Sequence, residues 1–253
     1  MQFAQDAWWA LGGTSAGKAL HLHDLGVDVS LVTLAAHDDD GARVRAALRR
    51  AGLDADVHLA DATESHTNLM TAAGDRVSLY TSAPVAVPES ALAAARAAMA
   101  DARAIVADMS PLGRACLPFA AEAGVPVWVD LHDWDGHEDY HRDFLQAGSV
   151  VVINGDRIGD PETFLRACVA RGATLAICTL GAQGALGIDA DGALPRVPAE
   201  PAEVVDTNGA GDAFIAGALA ATLAGAPTPA VLAAGARQAT RALSTRQLSP
   251  LLD

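Results

Sequence analysis

The sequence predicts an α/β fold, a mostly parallel central sheet with helices on both faces plus a small β lid, and three observations lead there. From about residue 102 onward, short runs rich in Val and Ile alternate with amphipathic segments. Near-continuous apolar strands between helices belong to a parallel sheet covered on both faces. Two stretches, 67–81 and 185–197, interrupt that alternation with hairpin patterns. With 253 residues, 51% of them apolar, the chain is long enough to bury one large core.

The elements follow in order. Residues 67–81 read as a hairpin, two β-prone runs around Ala73-Gly74-Asp75 with Val77 and Leu79 on one face. Residues 104–109 read as a strand, 113–123 as a helix closed by Gly124, and 125–131 as a strand carrying Val125, Val127 and Val129. Then come a strand at 149–154, a helix at 161–171 followed by Gly172, and a strand at 174–180. Residues 185–197 form a second hairpin turning at Asp191-Gly192. The remainder is helical: 211–224, with Ile215, Leu219 and Leu223 on one face, and 229–243. No long linker or repeat divides the chain, so it reads as one domain, 1–253, with the 67–81 hairpin as its lid.

Charge and composition exclude several classes. A net charge of −14 without a clustered Lys/Arg stripe repels a phosphate backbone or an anionic membrane surface. The first residues show no basic region followed by an apolar stretch, and no apolar run is long enough to span a bilayer, which predicts a cytoplasmic protein. Cys116, Cys168 and Cys178 lie far apart in apolar stretches and read as buried reduced thiols.

The chemistry concentrates in 204–214. Gly209, Ala210 and Gly211 form a tight turn of small residues opening a long helix, so the backbone can approach a ligand closely. Free amides at the positive end of the helix dipole make an anion site suited to phosphate. Asp212 stands in the same first turn. A carboxylate does not bind the anion itself; it serves as a base, acts through a metal ion, or simply favours the helix start.

Asp206-Thr207-Asn208-Gly209-Ala210-Gly211-Asp212 resembles the Asp-Thr-x-Gly-Ala-Gly-Asp signature of the ribokinase-like (PfkB) carbohydrate kinases. The resemblance implies an ATP-dependent transfer of phosphate to a hydroxyl of a sugar or sugar-like acceptor, with Mg2+. Asp212 would be the catalytic base, Gly209, Ala210 and Gly211 the anion hole, and Asp206 and Thr207 would neighbour the phosphates and a monovalent cation such as K+. Thr179-Leu180-Gly181-Ala182-Gln183-Gly184 resembles the family's nucleotide loop, which assigns Thr179, Gly181 and Gly184 to ATP. Gly12-Gly13, ahead of a helical 19–25, is similar to the substrate-side entry, as is 38–41 opening a helix to Arg50.

The chain also departs from the pattern. It starts too late to hold the family's first strand with its substrate-binding Asp, so that strand is expected to be missing. Gly17 stands where Asn is usual, and the magnesium-positioning Asn-x-x-Glu reads Asn154-Gly155-Asp156-Arg157.

Two further signals compete. Gly12 to Lys18 fits the spacing of a P-loop, but Ala19 supplies no hydroxyl for magnesium. His132, His137 and His141 share an acidic loop with Asp133, Asp135, Glu138 and Asp139, without a zinc spacing. That loop follows the strand ending at Asp130, and ligands collect at the carboxyl ends of strands, so Asp130, His132 or Asp133 are candidates to line the acceptor pocket. Arg43, Arg45, Arg49 and Arg50 read as an exposed helix face. The hairpin edge offers a pairing surface for a second copy. Rival functions are a non-catalytic nucleotide- or sugar-binding protein on the same fold, a nucleoside kinase, and a P-loop hydrolase.

Overall fold

The computed structural model describes residues 3–71 and 76–253. Helix α1 (Thr14–Asp24) is followed by strand β1 (Leu31–Ala35), helix α2 (Asp39–Arg50) and strand β2 (Ala55–Leu59), which pairs in parallel with β1. Asp38 starts α2 by accepting a hydrogen bond from the Gly41 amide at 2.7 Å, one of the donors that a helix leaves open at its beginning. Residues 7–11 form no strand, and α1 begins at Thr14 rather than Ala19. Arg45 corrects the exposed-face reading of α2: its guanidinium turns inward to the carbonyls of Ala35 and Ala36.

Strands β3 (Ser65–Met70) and β4 (Arg76–Ser82) pair as an antiparallel hairpin. Leu69 stands opposite Val77 and Thr67 opposite Leu79, so Val77 and Leu79 share a face, as the alternation predicts. The turn expected at Ala73-Gly74-Asp75 lies outside the described residues.

Helix α3 (Glu89–Ala100) leads into the main sheet. Its parallel part is β5 (Ile105–Ala107), β6 (Val127–Asp130), β7 (Val150–Asn154) and β8 (Leu175–Thr179), joined by α4 (Pro111–Ala123), α5 (Tyr140–Ala147) and α6 (Pro161–Ala170). Strands β9 (Ala185–Asp189) and β10 (Arg196–Val197) continue it antiparallel, giving the order β10-β9-β8-β7-β6-β5. The 185–197 hairpin therefore extends the edge of the sheet and does not cover it.

Alternation along the strands distributes the core over both faces. Val129, Val151, Ile153 and Cys178 pack with Leu117 of α4, Phe144 of α5 and Leu165 of α6. Trp128, Val150, Val152 and Ile177 face the opposite way, onto α1, α7 (Ala210–Leu223) and α8 (Thr228–Leu243) through Leu22, Phe214, Leu219 and Leu232. Helix α7 is apolar nearly all round because it lies between the sheet, α1 and α8. All three cysteines are free and buried. Among the described residues, no helix is long and apolar enough to cross a membrane.

Candidate active site

The parallel strands end on one rim. Asp108 follows β5 directly, Asp130 closes β6, Asn154 closes β7 and Thr179 closes β8. Carboxyl ends of parallel strands are where an open α/β sheet leaves a crevice for ligands. Into this rim comes Asp212, from the first turn of α7.

A buried lysine joins these parts. Lys18 of α1 is only 2% exposed, and its ammonium lies 2.8 Å from Asp108, 2.7 Å from Asp212 and 3.2 Å from Asp130. Gly17 makes the approach possible. A Cβ built there would fall 2.7 Å from Asp212 Oδ2, closer than atoms tolerate. The space that a side chain at position 17 would need is thus taken by the aspartate itself. Asp130 also accepts a 3.0 Å hydrogen bond from the backbone amide of His132, whose ring nitrogen Nδ1 stands 3.4 Å away.

The electrostatics of this cage are uneven. Burial disfavours the Lys18 ammonium, but Asp108, Asp212 and Asp130 more than compensate, so it is held protonated well above the ordinary lysine range. Burial likewise pushes Asp130 up, yet His132 and Lys18 bring it below the usual carboxylate range. Asp212 goes the other way. Burial, aided by the charges of Asp108 and Asp130, outweighs Lys18 and raises its carboxyl to about 6. A carboxylate of that strength is ionised at neutral pH and takes a proton more readily than an ordinary one.

Around Asp212 the turn is open. Gly209 caps α7 in the left-handed conformation, φ 79°, which glycine adopts without strain. Ala210 is partly exposed and Gly211 exposed, and a Cβ on Gly211 would meet nothing within 4 Å. Amides of a helix's first turn have no carbonyl partner within the helix, so this face is suited to an anion. Asp206 is buried just before the turn and accepts from the Asn208 amide at 2.9 Å, while Thr207 is exposed.

The loop 179–184 closes on itself by a 2.7 Å bond from the Leu180 amide to the Gly184 carbonyl. Gly181 and Gly184 both take positive φ, and a Cβ on Gly184 would strike the Val197 carbonyl at 2.0 Å. On the other side, Gly13 caps α1 with φ 97°, and His66 of β3 reaches Gly12 so closely that a Cβ there would stand 3.0 Å from its ring. The hairpin face carrying His66 and Tyr80 therefore lies against the Gly12-Gly13 turn.

A P-loop does not exist here. Thr14 to Lys18 are helical, no strand precedes them among the described residues, and Lys18 points into the carboxylate cage instead of into a cradle of amides. The acidic loop after β6 is tied down by Arg157, 3.0 Å from Asp135 and 3.9 Å from both Asp133 and Glu138, and His141 stacks on Trp134. Sequence reasoning missed Asp108 and the inward placement of Lys18 among three carboxylates. Asp108 lies at the carboxyl end of the strand predicted at 104–109, so the carboxyl-end rule that singled out Asp130 applied to it equally.

The description "pfkB family carbohydrate kinase" matches residues 137–251. Over 233 residues the chain is 33% identical to the acarbose 7(IV)-phosphotransferase of Actinoplanes sp. (strain ATCC 31044 / CBS 674.73 / SE50/110), covering 89% of this chain and 77% of that protein. The chain belongs to the pfkB family of carbohydrate kinases. Other pfkB-type relatives agree: the fructoselysine 6-kinase of Escherichia coli (strain K12) is 30% identical over 88% of this chain and 86% of its own length. A solved structure of the microbiome-derived acarbose kinase Mak1 superposes with a TM-score of 0.79 at 28% identity, over 90% of this chain and 79% of that one. A probable sugar kinase from Rhizobium etli CFN 42 shares the fold, TM-score 0.83 at 22% identity, over 95% and 79% of the two chains. The fold is ribokinase-like, and this pfkB carbohydrate kinase is an ATP-dependent phosphotransferase with an alcohol group as acceptor.

Magnesium, usual in pfkB kinases, finds a poor protein ligand at the end of β7. The Asn154 side-chain oxygen accepts from the Asp156 amide at 2.7 Å, and Arg157, a cation, stands where a carboxylate is usual. Mg2+ of the MgATP co-substrate would rest on phosphate oxygens and water.

Proposed function

We propose that the chain phosphorylates a hydroxyl of a sugar or sugar-like acceptor with Asp212 as general base. The observation that carries this is the placement of Asp212: a buried carboxylate raised to about 6, one residue beyond the open amide face at Gly211. MgATP lies between the loop holding Thr179, Gly181 and Gly184 and the loop holding Asp206 and Thr207, beside Asn154. The acceptor enters between Gly12, Gly13 and Asp130, beneath the β3–β4 hairpin, which acts as the lid of a single kinase domain. Its hydroxyl oxygen bonds to the γ-phosphorus as the bond to the β,γ-bridging oxygen breaks; the proton passes to Asp212 Oδ2, and ADP leaves. Amides of Gly209, Ala210, Gly211 and Asp212 stabilise the charge on the transferring phosphoryl oxygens.

Finer assignments belong to the same reading. Asp206 and Thr207 suit a monovalent cation such as K+ beside the phosphates. Leu69, Val77 and Leu79 are exposed on the hairpin and suit pairing with a second copy. Because the relatives' names specify acarbose and fructoselysine, those compounds head the acceptor panel, followed by simple sugars, sugar acids and nucleosides.

The test is ADP release from MgATP across that panel, with Asp212→Asn as the control. Turnover with at least one acceptor is expected, and the variant should lose about a hundredfold or more of it while still binding ATP. Turnover in Asp212→Asn close to the unaltered enzyme sinks the assignment.

A further inference from the structure

The cage around Lys18 brings together groups from four places in the fold: Lys18 from α1, Asp108 after β5, Asp130 at the end of β6 and Asp212 in α7. None of them is more than 7% exposed. Three carboxylates around one ammonium leave an excess of negative charge in a place from which water is largely excluded. Behind Asp130 stands the partly exposed ring of His132. Without a cation at the centre, three buried carboxylates would repel each other strongly, and the simplest relief would be to protonate one of them. The least favoured charge belongs to Asp212, which gets no help from His132. A protonated Asp212 cannot take the proton of the acceptor hydroxyl.

We propose that Lys18 is a positioning residue for the transfer, its ammonium clamped by Asp108 and Asp130 so that it keeps the Asp212 carboxylate ionised and aimed at the acceptor hydroxyl. The inference deepens the assignment of Asp212 as base and rests on it. The geometry gives each partner a separate part. Asp108, at 2.8 Å, and Asp130, at 3.2 Å, come from rigid strand ends and fix the ammonium in space. Gly17 lets α1 come close enough for the same ammonium to reach Asp212 Oδ1, which leaves the carboxylate plane set by a contact of 2.7 Å. Lys18 touches neither the phosphoryl group nor the acceptor in this arrangement; it acts through Asp212.

Aspartate labelled with 13C at Cγ reports the titration directly, in the full chain without any ligand, and loss of one resonance in Asp212→Asn assigns it. Asp212 is expected to titrate near 6 in the unaltered protein. Lys18→Met, similar in length but uncharged, should raise that midpoint by about one to three pH units. Asp108→Asn should lower it, because a repelling neighbour is gone and Lys18 is left with fewer partners; this variant carries the test if Lys18→Met does not fold. With an acceptor from the panel, the acid limb of the kcat/KM profile should move with the midpoint in each variant. An unmoved midpoint in Lys18→Met, or in Asp108→Asn when the former does not fold, overturns the inference. Shifted midpoints together with near-normal turnover of Asp212→Asn would instead sink the base assignment and leave the Lys18–Asp212 coupling standing.

Discussion

At the scale of single residues, the site depends on an absence. Gly17 has no side chain because the Asp212 carboxylate fills the space a Cβ would need, at 2.7 Å from Oδ2 and 3.0 Å from Cβ. Gly17→Ala cannot be absorbed by a flexible tip, since the obstacle is the short, buried Asp212 itself. Either that carboxylate rotates away or α1 retreats and takes Lys18 with it. Displacing a reacting group by about 1 Å costs on the order of a hundredfold in rate. Gly17→Ala is therefore expected to lower kcat at least tenfold while the KM for ATP stays nearly unchanged, because the phosphate-facing turn is not touched. Steady-state kinetics with ATP and acceptor varied separately check this; an unaltered kcat would show that Asp212 has room to spare.

At the scale of elements, the first turn of α7 separates folding from function. Gly209 must be glycine for its positive φ, and Gly217 lets α7 settle against α8, where a Cβ would stand 2.6 Å from the Ala234 carbonyl. Gly211 has no such duty: it is exposed, helical, and faces open space. A valine there finds room and is a better helix former than glycine by a few tenths of a kcal/mol. Yet its methyl groups would stand in front of the amides that the proposed function gives to phosphate. Gly211→Val should leave Tm unchanged or slightly higher and raise the KM for ATP by about tenfold or more, a loss of roughly 1.4 kcal/mol of binding. Unchanged KM in a folded variant would move the phosphate site away from this turn.

At the scale of the whole molecule, what was legible in the sequence was local. The small-residue turn at 209–211, its aspartate, the strand ends at Asp130 and Thr179 and the glycine loop each lie within a few adjacent residues, where spacing is readable. The cage was not legible, because Lys18 reaches its partners across 90 residues to Asp108 and 194 to Asp212, and only the packing of α1 on α7 brings them together. Gly12 to Lys18 has the spacing of a P-loop without its hydroxyl, and the folded chain turns that lysine inward. The cage also links function to global stability. Asp212 titrates near 6 in the folded state and near 3.8 as an ordinary carboxyl, so the native state prefers it protonated. That preference supports the fold fully below about pH 4 and is lost as pH rises through 6, by on the order of 3 kcal/mol. Asparagine never ionises, so Asp212→Asn escapes the loss while Lys18 retains Asp108 and Asp130. The variant is expected to melt several degrees higher than the unaltered protein at pH 8, since a chain of this size shifts about 2–4 °C per kcal/mol. The gain should shrink at pH 5 and vanish near pH 4. Scanning calorimetry at the three pH values decides it: a gain independent of pH, or a lower Tm at pH 8, would mean that Lys18 holds Asp212 more firmly than burial opposes it.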